Sequence, residues 1–291
     1  MLPCDHPESM QPPCELVPAS AYTVEALTDA YNQTRVDYIV PMPMNPARLQ
    51  AYIDDYGVDL DRSVVARDGA DILGLAMLGR RSRRTWITRL GVLPIRRRGG
   101  TGEAMMRYLI AQSRDLGADD IILEVIKDNE PAHQLFLKLG FVETRELLIL
   151  RRPPGAPRES APPYKVSHGD HDAALALLEK RRSVPSWLDD LPTMQRTANL
   201  NCLEVTLSDG SSGWLTYQSE VFQLGRLVVQ AEDGEPAQVA RALAHALHTQ
   251  HPIQDTKTEN FPAADPHLPG LIAMRYLESF RRIEMRLALG V

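Results

Sequence analysis

The sequence predicts a mixed α/β (α+β) chain in which one pattern of helices and strands is used twice. Three observations carry that reading. From residue 23 to residue 150 the apolar periodicity switches repeatedly between helical and strand-like spacing. Residues 152–163, RPPGAPRESAPP, then place five prolines in twelve positions, where fixed φ and missing N–H groups exclude a helix or sheet interior. Beyond that break the pattern returns. LIAMRYLESF followed by RRIEMRLAL matches LFLKLGF followed by VETRELLIL in residue type and spacing.

The elements follow in order. A strand at 14–19 (CELVPA) precedes helices at 23–34 (TVEALTDAYNQT) and 46–56 (PARLQAYIDDY). Pro46 suits the first turn of the second helix, where its missing N–H would lack an intrahelical partner anyway. RSVVAR (62–67) and ILGLAMLG (72–79) read as strands joined by the turn Asp68-Gly69-Ala70-Asp71. TWITRLGVL (85–93) is a third strand. The helix from Gly102 to about Leu116 puts Met105, Met106, Leu109 and Ile110 on one face, with Gly117 placed to end it. IILEVI, a short helix at 131–139 ended by Gly140, and FVETRELLIL complete the first half. In the second half WLTYQ and FQLGRLVVQ are strand-like and PAQVARALAHALHTQ is helical. The expected organisation is a flexible tail at 1–13, a domain at 14–151, a proline-rich linker at 152–163 and a second domain at 164–291.

Composition narrows the function classes. Hydrophobic residues are 44%, charged residues 24%, and the net charge is −6, against the basic balance of a dedicated nucleic-acid binder. Cys4, Cys14 and Cys202 are too scattered for a disulfide framework or a CxxC metal site. No apolar run reaches the ~20 residues of a membrane-spanning helix. The start MLPCDHPESM lacks a signal-peptide pattern, so a cytoplasmic protein without metal or membrane partner is expected.

The chemistry concentrates in RRRGGTGEAM, residues 96–105. Read plainly, this is a solvated loop with a glycine turn. Read as a site, Gly100 and Gly102 let backbone N–H groups converge, the following helix adds its partial positive charge, and Arg96, Arg97 and Arg98 supply bidentate donors. Pyrophosphate fits that set. A Walker A loop is excluded by the missing lysine. A dinucleotide fingerprint is excluded by Met105, which stands where a third glycine is needed.

VLPIRRRGGTGEAMM resembles the acetyl-coenzyme A loop of the GCN5-related N-acetyltransferase (GNAT) superfamily, V-x-P then R/Q-x-x-G-x-G/A opening a helix. LEVIKDNEPAHQLFLKLGF resembles that family's second signature through Asn129, Ala132, Leu135, Phe136, Gly140 and Phe141. The resemblance covers residues 14–151, with the second half similar to a degenerate copy. It implies a GNAT fold present twice in tandem, each with a mixed, mostly antiparallel sheet flanked by helices. It also implies acetyl-CoA as cosubstrate and direct transfer to a primary amine of a small molecule or protein. Leu90, Gly91 and Val92 would line the pantetheine arm, and amides of Arg97, Arg98, Gly99, Gly100, Thr101 and Gly102 would hold the pyrophosphate. Asn129 would contact the cofactor arm or, equally, cap a helix; Phe136 would border the cofactor. The Val92 N–H would polarise the thioester carbonyl.

Two departures bear on catalysis. Phe136 stands where the family often has a tyrosine acid, and Thr88 and Arg89 stand where it often has a carboxylate. Glu124 is the remaining candidate base, with an arginine partner as its alternative role. A non-catalytic CoA-binding or regulatory protein on the same scaffold is therefore the rival reading. The acceptor pocket is expected from Tyr31, Asp37, Tyr38, Met42, Met44, Tyr52, Asp54 and Asp55, whose carboxylates suit a cationic amine.

Aligning LGVLPIRRRGG with LVVQAEDGEPA sets Ala237 against Gly100 and Val239 against Gly102, with acids replacing the arginines. The second half is thus expected to bind no CoA. It would instead complete the sheet, cover the acceptor cleft or join a second copy of the chain. His245, His248 and His251 span too wide an arc for one metal ion and read as a solvated helix face. HGDHD (168–172) reads as a helix cap through Ser167 or Asp170.

Overall fold

The computed structural model describes residues 14–290; the tail expected at 1–13 lies outside them. The chain forms two compact units. The first runs to Leu123 and adds Leu137–Gly140 and the chain from Arg286 onward. The second comprises Glu124–Phe136 and Phe141–Met285. Each unit thus takes in chain from the other half.

In the first unit, β1 (Glu15–Pro18) precedes α1 (Val24–Gln33) and α2 (Pro46–Tyr56). Thr23 accepts the Ala26 N–H and Asn45 the Arg48 N–H, so each helix starts on a side-chain cap. Gly57, at φ 62°, ends α2 in the left-handed conformation that costs glycine least. Then come β2 (Val64–Asp68), β3 (Asp71–Arg80), β4 (Arg84–Val92), α3 (Thr101–Asp115) and β5 (Asp120–Ile126), whose residues from Glu124 on belong to the second unit. β1 to β4 pair antiparallel in succession and β4 pairs parallel with β5. Leu27, Tyr31, Leu75, Met77, Leu78, Met105, Met106 and Leu109 are fully enclosed. Full burial of such a side chain contributes about 1.5–3 kcal/mol, which explains why the apolar spacing predicted these elements well.

α4 (Glu130–Lys138) and β6 (Val142–Arg152) follow. The second unit continues with β7 (Tyr164–Gly169), α5 (His171–Glu179), α6 (Leu191–Arg196), β8 (Leu200–Leu207), β9 (Ser212–Ser219), β10 (Gln223–Asp233), α7 (Pro236–Gln250), β11 (Asp255–Pro262), α8 (Leu268–Ala273) and β12 (Leu277–Ala288). β7 to β10 pair antiparallel and β10 pairs parallel with β11. This succession repeats that of β1 to β5, so the expected duplication is visible in the hydrogen-bond ladders. β6 covers the strand expected to close the 14–151 domain, and it pairs antiparallel with β11 (Thr256↔Arg152 through Pro262↔Leu147). The proline-rich segment after β6 carries no helix or strand; Gly155 N–H donates to Pro252 O at 2.7 Å. No helix among the described residues is long and apolar enough to cross a membrane.

Candidate active site

The site is built on the far end of β4. Its register with β5 runs Arg84↔Asp120 through Ile87↔Leu123, whereas its register with β3 continues to Gly74↔Val92. Between Met77↔Thr88 and Leu75↔Gly91 the strand is bulged, with Arg89 at φ 56°. Thr85, Trp86 and Ile87 are buried, and Thr88 to Val92 are half-buried. Leu93 N–H donates to Leu73 O on β3 at 2.8 Å, so by strand alternation the Val92 N–H faces the opposite edge. Side chains serve carbonyls of this stretch: Arg35 Nη2 donates to Leu90 O (3.2 Å) and Arg97 Nε to Val92 O (3.2 Å). Gly91 is required here. A Cβ would collide with the Thr34 hydroxyl and lie 2.8 Å from Arg35 Nη1.

Leu93 leads through the short 3-10 turn Pro94–Arg96 into the glycine loop. Arg98 (φ 64°) and Gly100 (φ 85°) are both left-handed, an alternation that turns successive amides toward one concavity. Gly100 is the N-cap of α3 and no side chain among the described residues caps that end. Helix geometry leaves the first N–H groups of α3 without intrahelical acceptors, with the helix dipole behind them. Arg98 to Gly100 are exposed, Thr101 is buried and Gly102 is half-buried. Gly99 has room for a Cβ, its nearest neighbour being Arg96 O at 3.7 Å, so Gly100 is the glycine the geometry demands. These groups fit a pyrophosphate.

Arg97 acts differently from its neighbours. Its guanidinium pairs with both Asp37 oxygens (2.8 and 2.7 Å) and donates to Thr34 O (3.0 Å). It therefore clamps the loop to the segment after α1 and holds the Asp37 carboxyl below its usual range. Of the Arg97 groups expected at the phosphate, only the backbone amide fits that role. Lys138 on α4 pairs with Glu103 (2.6 Å).

Between α1, α2 and β4 lie two arginines and three tyrosines. The Arg35 guanidinium sits 4.1 Å from the centroid of Tyr31 and 5.3 Å from that of Tyr38. The Arg89 guanidinium sits 4.1 Å from Tyr52 and 5.2 Å from Tyr31. Such stacking contributes up to about 2 kcal/mol when desolvated. Tyr31 OH donates to Met42 O (3.1 Å) and accepts from Arg89 Nη1 (2.9 Å), and Tyr52 OH bonds Thr88 Oγ1 (2.6 Å). Of the expected acidic lining, Asp37 is held by Arg97 and Asp54 accepts from Gln50 (2.9 Å). Arg35 was missed in the sequence because its contacts to β4 are remote along the chain.

The remaining predicted residues lie in the second unit. Glu124 accepts the side-chain N–H of Asn260 (3.1 Å). Asn129 accepts the Ala132 N–H (3.4 Å) and its carbonyl the His133 N–H (3.0 Å), so it fulfils the helix-cap alternative at the start of α4. Phe136 is buried with its ring 6.1 Å from that of Phe141.

The second unit's counterpart of the loop differs from the expected alignment. Arg226 on β10 has φ 52° beside a bulge, matching Arg89 on β4. However, α7 is capped by Glu235, whose carboxylate accepts the Ala237 and Gln238 N–H groups (3.1 and 2.8 Å). Glu235, not Ala237, therefore occupies the place of Gly100, and the interval from bulge to cap is shorter by two residues. The three histidines, His245 and His248 on α7 and His251 just after it, are not a solvated face. His245 bonds Tyr164, His248 bonds Tyr276 and His251 bonds Tyr217, at 2.9, 2.9 and 3.0 Å. Asp170 caps α5 as expected, accepting the Ala173 N–H.

Residues 25–141 match the acetyltransferase (GNAT) family model. No protein of curated function matches the chain. Among solved structures, a GCN5-related N-acetyltransferase from Sphaerobacter thermophilus has a TM-score of 0.70 at 12% identity, covering 97% of this chain and 98% of that one. A tandem GNAT protein from the clavulanic acid biosynthesis pathway, solved without acetyl-CoA, has a TM-score of 0.64 at 17% identity and covers 95% and 99%. A GCN5-related N-acetyltransferase from Kribbella flavida has a TM-score of 0.56 at 16% identity and covers 94% and 70%. At these identities the likeness is one of fold.

Proposed function

We propose an acetyl-CoA-dependent N-acetyltransferase that acts in the cytoplasm on a primary amine, a reading supported by the match of residues 25–141 to the acetyltransferase (GNAT) family model. The observation that carries this reading is the left-handed, side-chain-free start of α3 placed directly after the half-buried end of β4. The amides of Arg97 to Gly102 would hold the pyrophosphate, and Leu90, Gly91 and Val92 would border the pantetheine arm. Bound there, acetyl-CoA supplies an acetyl thioester for direct attack by the amine. The Val92 N–H, on the edge away from β3, would donate to the developing oxyanion. Glu124 as base, Asn129 as a cofactor contact and Phe136 beside the cofactor enter the proposal from the family resemblance alone. Phe136 cannot donate a proton. A thiolate with a pKa of ~8.5 leaves without one, so the substitution is compatible with turnover.

Calorimetry and a thiol-release assay over a panel of amines test this function. The expected result is one acetyl-CoA bound per chain, because Glu235 already fills the start of α7, and thiol release above the buffer rate with at least one amine. Binding without turnover on any amine would favour the non-catalytic CoA-binding reading. Absence of binding at millimolar acetyl-CoA would remove both.

A further inference from the structure

We propose that the acceptor carries a carboxylate beside its amine, and that this carboxylate is received by the guanidinium groups of Arg35 and Arg89 among Tyr31, Tyr38 and Tyr52. The inference rests on the acetyl-transfer reading and specifies its substrate class. Arg35 reaches from the end of α1 to Leu90 O, the backbone stretch assigned above to the acetyl donor. Its Nη1 donates to Thr34 Oγ1 (3.1 Å), its enclosed Nε has no hydrogen-bond partner among the described residues, and the residue as a whole is half-buried. Tyr31, Arg89, Tyr38 and Tyr52 act on its charge. Asp37, two residues away, is committed to Arg97.

Two like charges gathered in one place repel each other and are poorly hydrated by tyrosine rings. An anion relieves both costs. The planar fork of a guanidinium matches the two oxygens of a carboxylate. A purely cationic amine would meet like charge instead. The tyrosines fix the receptor: Tyr31 OH, anchored on Met42 O, accepts from Arg89 Nη1, and the rings flank both guanidinium groups. The other role open to these arginines is to prop the β4 bulge, which predicts no preference among acceptors.

The test compares α-amino acids with their α-amides, by kcat/KM with acetyl-CoA and by calorimetric binding to the full chain in the presence of CoA. The amide's amine loses its proton more readily, so intrinsic reactivity works against the expected result. Acids are expected to exceed amides by about tenfold or more, the scale of a charge-assisted hydrogen bond. Arg35→Gln is expected to bring that ratio near one; Arg89→Gln serves if Arg35→Gln does not fold. Amides or diamines that match or exceed the acids in both assays overturn the proposal. So does an Arg35→Gln protein that loses acid and amide activity equally. Acids that bind tenfold better with no turnover on any amine would keep the carboxylate site and overturn acetyl transfer.

Discussion

The starts of α3 and α7 follow equivalent strands and are completed in opposite ways. Both strands carry a bulge arginine at positive φ, Arg89 and Arg226. After β4 the chain makes a long loop and enters α3 through Gly100, with no side chain on the helix end. After β10 the loop is shorter and Glu235 turns its own carboxylate onto the first amides of α7. A helix N-terminus needs an anion or water on its free N–H groups. One unit leaves that need open and the other satisfies it internally. The difference separates a duplicated fold from a duplicated site: the ladders are shared and the proposed anion receptor is not.

The sharpest way to break this contrast is to give α3 what α7 has. Gly100→Glu puts a carboxylate at the start of α3 and a side chain at φ 85°. Acetyl-CoA affinity is expected to fall about a hundredfold or more. The melting temperature should drop by only a few degrees, because one left-handed residue costs about 1–2 kcal/mol. Calorimetry and thermal unfolding read both, and unchanged affinity would refute the placement of the phosphate.

A second contrast lies further along the helices. Ser113 and His248, each equally far from its cap, are both buried polar groups. Ser113 Oγ bonds Leu109 O and the Thr85 hydroxyl, and nothing there titrates near neutrality. His248 is pushed down to about 3, first by burial and then by the nearby Arg152 charge. The folded state therefore keeps it neutral while the unfolded chain takes up a proton below ~6.5. Stability is full at pH 7 and declines as the pH falls through 6.5 towards 3, with about 2 kcal/mol lost at pH 5. In His248→Gln the change in unfolding free energy between pH 7 and pH 5 should shrink by that amount; an unchanged difference would place the acid sensitivity elsewhere. The smallest effect is expected of Glu235→Ala, which removes the α7 cap at a cost of about 1 kcal/mol. Chemical denaturation measures it, and acetyl-CoA stoichiometry should stay at one.

The first unit was largely legible because its elements bury continuous apolar faces, as in β3 and along Met105, Met106 and Leu109. Strand β11 was not, because the residues it buries include Thr256, Thr258 and Asn260, which apolar spacing passes over. The glycine loop could be read from its own residues. The Arg97–Asp37 clamp and the contacts of Arg35 with Leu90 could not, since each joins segments far apart in sequence. The α7 histidines were read as solvated because a polar side chain carries no local mark of the tyrosine that will meet it.

Glu235 also has a meaning in sequence space. Removing its carboxylate would not return the start of α7 to a phosphate receptor. Pro236 follows as the first helical residue and has no N–H to offer, and the loop before it is two residues short. Giving α7 a start like that of α3 takes a two-residue insertion and replacement of both Glu235 and Pro236.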